Sequence, residues 1–298
     1  MAATTGIRFG AMAATLVLWS CFAVVDVDRF HSQATPKPDG SAVRSAPGEY
    51  LNLTLSLVGM TPHVMQLFEY RVVDANMFIQ SRGIVNPLGD ANVTINVPFA
   101  VPKVNGPYHL DFYADVNGSG GYDGIGSVLT RDHAWRIDPL EDSPADSVMH
   151  VDGLIQVTFT HNTSFTPIEQ YPSGTPNAAL DIGANAVIHV INAPDLVGAL
   201  IQVRIVNTVL NHTVGLFRVP KITVPDFTMT IPGIVENGTE YAALVYVDSN
   251  LNGKYDNPAA PLGDLGWRVV GTAGMKGLDV LVDAQTIQQA NIDVGTPW

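Results

Sequence analysis

One cysteine, Cys21, stands in the whole chain, so the body has no disulfide and no thiolate metal site. Charge is scarce too, at 14% of residues. Lys and Arg number 15 against 28 acidic residues, a formal charge of -13, which excludes the basic footprint that nonspecific nucleic-acid binding requires. The chain lacks His-Glu-x-x-His, a Gly-x-Ser-x-Gly elbow and a phosphate loop. Among its eight histidines, His133 beside Asp132 comes nearest to an acid/base group, but the matching position later in the chain is Leu265. A lone His of this kind is more often a surface or packing residue. No long helix-period segment follows the N-terminus. These absences point to a noncatalytic, all-β protein.

Hydrophobic residues make up 46% of the chain, enough for two cores. They are arranged in a repeat. Glu69-Tyr70-Arg71-Val72-Val73-Asp74 aligns with Gln202-Val203-Arg204-Ile205-Val206-Asn207, and Asp132-His133-Ala134-Trp135-Arg136 with Asp264-Leu265-Gly266-Trp267-Arg268. A period this long marks tandem domains rather than solenoid units. Strict alternation over Leu51–Leu57, Val93–Val97, Ile155–Phe159, Ile201–Ile205 and Phe227–Ile231 predicts strands with one side in a core and the other in water. With about seven strands per copy, the fold class expected is all-β: two tandem immunoglobulin-like β-sandwich domains after an N-terminal export segment. The expected organisation is an export segment over 1–25, a flexible segment over 26–47, sandwiches over 48–168 and 182–298, and a Pro-stiffened linker over 169–181.

Residues 1–25 carry one charge, Arg8, before an apolar run from Phe9 to Val25, the pattern of an export signal. Three endings compete. Leu18-Trp19-Ser20-Cys21 resembles a bacterial lipobox, with Trp where a small residue is usual; Cys21 would then be lipidated and anchor the protein to a membrane. Cys21-Phe22-Ala23 suits signal peptidase. The third is an uncleaved anchor. All three place the protein outside the cytoplasm, in the cell envelope or the extracellular space. Six Asn-x-Ser/Thr triplets arise readily in Thr-rich strands and decide nothing without the source.

The most informative match joins Asp115-Val116-Asn117-Gly118-Ser119-Gly120-Gly121-Tyr122-Asp123 to Asp248-Ser249-Asn250-Leu251-Asn252-Gly253-Lys254-Tyr255-Asp256. Oxygen side chains stand at positions 1, 3, 5 and 9 with Gly at 6, as in the first part of an EF-hand Ca²⁺ loop. The expected metal donors are Asp115, Asn117, Ser119, the Gly121 carbonyl and Asp123, and then Asp248, Asn250, Asn252, the Lys254 carbonyl and Asp256. Gly126 and Ala259 occupy the place of the closing Glu, so Asp132 and Asp264 are the substitute carboxylates. Hard oxygen donors in an irregular loop favour Ca²⁺ over Mg²⁺. The competing reading is a set of Asx-turns without metal. Trp135, Trp267, Tyr122 and Tyr255 read as packing residues. Arg136 and Arg268 either pair with a loop Asp or sit exposed.

These nine residues resemble the Ca²⁺ loops of dockerin and thrombospondin type 3 modules. The β-rich repeat around them is similar to uncharacterised secreted bacterial tandem β-sandwich proteins. The resemblance implies export and metal binding, and no reaction. The expected role is structural, adhesive or display, with a surface glycan or protein as ligand. The alternative is a carbohydrate- or peptide-binding module in which metal is only structural.

Overall fold

The computed structural model describes residues 49–103, 106–122, 132–140, 148–162, 179–253, 256 and 263–286. Their regular structure is β, apart from single 3₁₀ turns at Thr61–His63 and Pro194–Leu196. The first half forms β1 (Tyr50–Val58), β2 (Phe68–Val73), β3 (Ile79–Val85), β4 (Val93–Pro102), β5 (His109–Ala114), β6 (His133–Ile137), β7 (Val148–Val151) and β8 (Leu154–Thr160). The second forms β9 (Ala184–Ile191), β10 (Leu200–Asn207), β11 (His212–Val219), β12 (Phe227–Val235), β13 (Glu240–Asp248), β14 (Leu265–Thr272) and β15 (Leu278–Asp283). The five alternating runs are β1, β4, β8, β10 and β12. Among the described residues no helix is long and apolar enough to cross a membrane. Cys21 and the expected export segment lie outside them.

The strands form three sheets, in the orders β4-β1-β8-β7, β14-β13-β10-β11-β3-β2-β5-β6 and β12-β9-β15. The eight-stranded sheet runs through both halves, so they are not separate sandwiches joined by a linker alone. The seam is a parallel pair, β11 with β3, from Gly215 opposite Arg82 to Arg218 opposite Val85. The end of the expected linker also docks here. Leu180 bridges Phe78, and Asp181 accepts a hydrogen bond from Arg82 at 2.8 Å.

The register decides where the cores lie. Tyr70 pairs with Gly83 and Gly83 with Leu216, and Tyr70 and Leu216 share the first core with Leu53, Leu55 and Leu57 of β1. Ile84 pairs with Phe217, and both belong to the second core with Ile188 of β9. Successive residues of a strand point to opposite faces, so the two smaller sheets cover opposite faces of the shared one. This explains a departure from the simple in-out pattern. Strands β2 and β3 are buried at every position, including Glu69, Arg71 and Arg82. Each core borrows a side chain from the other half, Leu216 one way and Ile84 the other.

Gly83 leaves room for the Tyr70 ring. A Cβ there would lie 1.9 Å from Tyr70 Cε1 and 2.3 Å from Cζ, and that ring is fully buried. Gly83→Ala is therefore expected to destabilise by about 1–3 kcal/mol, the usual cost of overpacking. A urea melt with an unchanged midpoint would show that the ring has room to move.

Candidate metal-binding loops

Strand β5 runs straight into Asp115, and β13 ends on Asp248. Both side chains are buried where the sheet gives way to loop. Asp115 Oδ1 accepts the amides of Gly118 at 2.7 Å and Ser119 at 3.1 Å, and its Oδ2 accepts Gly120 at 2.8 Å. Asp248 repeats this: Oδ1 accepts Asn252 at 3.2 Å and Oδ2 accepts Gly253 at 2.8 Å. Gly120 and Gly253 have φ of +87° and +74°, the left-handed backbone that glycine adopts without strain. Asn117 Oδ1 accepts the Ser119 amide at 2.9 Å, and Asn250 Oδ1 accepts the Asn252 amide at 3.0 Å. The first six residues of the two motifs, 115–120 and 248–253, thus fold alike.

Asp132 and Asp264 meet these loops. Both are fully buried, and each Oδ1 accepts the amide that follows the first loop Asp, Val116 at 3.0 Å and Ser249 at 3.1 Å. In the second half Asp256 joins the cluster. Asp256 Oδ2 accepts the side-chain amides of Asn250 at 2.8 Å and Asn252 at 2.6 Å, while the Asp256 amide donates to Asp264 Oδ2 at 2.6 Å. Tyr246 donates its hydroxyl to the same carboxylate at 3.1 Å. Burial, and then the nearby Asp248 charge, push the Asp264 carboxyl up, against hydrogen bonds from Asp256, Tyr246 and Ser249. Burial and the charges of Asp264, Asp248 and Asp256 push the Tyr246 hydroxyl up as well. Negative charge is concentrated here.

In the first loop, Ser119 Oγ donates to the Gly121 carbonyl at 3.0 Å. Asp123, Lys254 and Tyr255 lie outside the described residues. Tyr122 packs on Tyr113, with ring centres 5.2 Å apart, and Trp135 and Trp267 are buried in the two cores. Arg136 pairs with Asp111 of β5 at 2.6 Å, and Arg268 is exposed. The turn bonds match the Asx-turn reading. A carboxylate has about four acceptor sites, so turns and a bound cation are compatible.

A second group at this end of the first half is not evident from spacing along the chain. His63 in the first 3₁₀ turn, His133 opening β6 and His161 just past β8 come together. Along the sequence His133 stands as a lone surface or packing residue, and the fold gives it two imidazole neighbours.

No family model matches this chain, and no curated protein matches it. One solved structure that aligns is the major pilin protein T-13 from Streptococcus pyogenes serotype GAS131465, at 8% identity over 80% of this chain and 97% of that one. Its TM-score of 0.15 is too low to carry an argument.

Proposed function

We propose that the chain is an exported, envelope-attached, noncatalytic protein of two immunoglobulin-like sandwich repeats, with one Ca²⁺ loop in each repeat and a structural, adhesive or display role. Attachment is through Cys21 or the export segment. The observation that carries the metal reading is the second buried carboxylate beside each loop, Asp132 and Asp264, held by the same amide bond in both halves. Buried like charges repel one another, and an oxygen-seeking cation relieves that repulsion. Ca²⁺ serves here as a clasp between the loop and the strand that follows it.

The test is calorimetric titration of metal-stripped protein with CaCl₂, followed by thermal melts. Ca²⁺ is expected to bind both loops and raise Tm. At one hundred times the dissociation constant, each independent site adds about 2.7 kcal/mol by mass action. Asp115→Ala and Asp248→Ala each remove one site. Asp264→Ala tests the substitute carboxylate in the half that lacks the histidines. Absence of both heat and thermal shift at millimolar Ca²⁺ would reduce the loops to Asx-turns.

A further inference from the structure

His63 Nε2 lies 3.0 Å from His133 Nδ1 and 3.2 Å from His161 Nε2, and the three ligand nitrogens all fall within 4.8 Å of one another. Nitrogens bound to tetrahedral Zn²⁺ at 2.0–2.1 Å stand about 3.3–3.4 Å apart. The rings are therefore already close to the spacing that a shared ion imposes.

Hydrogen bonding fixes which nitrogen of His63 faces the others. Gln66 Oε1 lies 2.8 Å from His63 Nδ1, and the Gln66 amide nitrogen donates to the Pro62 carbonyl at 3.4 Å. The amide oxygen is thus turned to Nδ1, which carries the proton, and Nε2 presents its lone pair. One in-plane lone pair is approached by two imidazole nitrogens. An N–H···N bond accounts for one of these approaches, whereas a cation accounts for both. The Gln66 contact is the kind of outer bond that orients metal-binding imidazoles.

The repeat supplies an independent argument. The backbone positions match: His63 donates its amide to Met60 at 2.8 Å as Leu196 does to Ala193 at 3.2 Å. His161 donates to Val58 at 2.8 Å as Ala284 does to Ile191 at 3.0 Å. His133 pairs with Ala114 as Leu265 pairs with Val247. In the second half Leu196, Leu265 and Ala284 pack on the core. The scaffold thus closes this end with apolar side chains in one half and three imidazoles in the other. Three histidines are not needed to build it. They also sit against Trp135, whose ring centre is 4.2 Å from that of His133, 5.6 Å from His63 and 5.7 Å from His161.

We propose that His63, His133 and His161 form a transition-metal site of the Zn²⁺ class, present in the first half only. Imidazole nitrogens suit Zn²⁺, Co²⁺, Ni²⁺ and Cu²⁺ and are poor donors for Ca²⁺, so this site is distinct from the oxygen-lined loops. His133 and His161 are half-buried, which leaves the fourth position of a tetrahedron open to water or an added ligand.

The test uses the untagged full-length chain, stripped of metal. ZnCl₂ titration is expected to show one strong site per chain, and Co²⁺ in its place to give the visible absorption of a nitrogen-ligated ion. The triple variant His63→Leu, His133→Leu, His161→Ala copies the second half's apolar set and is expected to fold, with binding at this site lost. The single variant His161→Ala reads the same loss if the triple one misfolds. Gln66→Ala is expected to weaken Zn²⁺ by about 10–100-fold, as loss of an orienting bond does. Zn²⁺ binding left unchanged by the triple variant, or by His161→Ala, would overturn the site, as would failure of the wild type to bind. The Ca²⁺ titration of the triple variant, expected to match the wild type, separates failure of this site from failure of the loops.

Discussion

Asp111→Asn is expected to lower the unfolding free energy by about 3–5 kcal/mol at neutral pH, the range found when one partner of a buried ion pair is removed. The Asp111 carboxylate is fully buried on β5 and takes two bonds from Arg136 of β6, Nε at 2.6 Å and Nη2 at 2.8 Å. His109 Nε2 lies 3.3 Å from its Oδ2. On its other side, in register, stands Arg71 of β2. Arg71 donates to Glu69 at 2.6 Å, Arg82 stands 3.1 Å from Glu69, and Tyr113 donates to Glu69 at 3.0 Å. Asparagine keeps the shape of Asp111 and removes its charge, so the loss measures what that buried charge contributes to Arg136 and its neighbours. Surface pairs are worth about 0–1 kcal/mol, and a loss in that range would show that solvent reaches this ladder.

The pH dependence follows from the same contacts. Burial raises the Asp111 pKa, but Arg136 and then His109 outweigh it and hold the carboxyl well below its ordinary range. A depressed folded pKa contributes stability above the unfolded value, about 3.9, and that contribution disappears as pH falls through the folded one. The gap between wild type and Asp111→Asn should be full at pH 7 and narrow below about pH 4. Urea melts across that range check it. A gap that widens on acidification would contradict the sign.

Strands β1, β4, β8 and β12 were legible because their alternating runs keep one face open to solvent. Strand β10 alternates as well, but the water expected on its second side is absent, since Gln202 and Arg204 are buried in the shared sheet. Leu53, Leu55 and Leu57 alternate with half-buried polar residues, so period 2 is written into the sequence. Strands β2 and β3 hide that signal. Their second face is buried too, and charged side chains occupy it because ion pairs compensate them. The β3–β11 seam is a backbone pairing between distant segments, and alternation does not say which strand edges meet. The repeat made Asp115 and Asp248 legible, and their shared spacing to Trp-Arg made Asp132 and Asp264 so. The histidines come from three separated segments. The exchange of His133 for Leu265 is visible in the sequence and reads there as a reason to discount the His. Only the fold shows Leu196 and Ala284 completing the same exchange, which turns the asymmetry into the mark of the site.

The shared sheet makes a prediction that separate sandwiches do not. Leu216 belongs by sequence to the second half, yet it is fully buried in the core of the first, among residues that include Tyr70 and Leu53. Leu216→Ala is expected to cost about 2–5 kcal/mol, since it removes buried methyl groups and leaves a cavity. The damage should not stay in one half. Across the seam, Asn86 donates its amide to the Arg218 carbonyl at 2.9 Å, and Arg218 reaches the Thr94 carbonyl of β4 at 3.1 Å. In the other direction Arg82 reaches the Pro232 carbonyl of β12. Either half unfolding alone would strip a core residue and these bonds from its partner. Calorimetry should therefore show one unfolding transition in the wild type, and Leu216→Ala should move it as a whole, by about 2–4 °C for each kcal/mol in a chain of this size. Two transitions, with only one displaced, would mean that the halves unfold independently despite the continuous sheet.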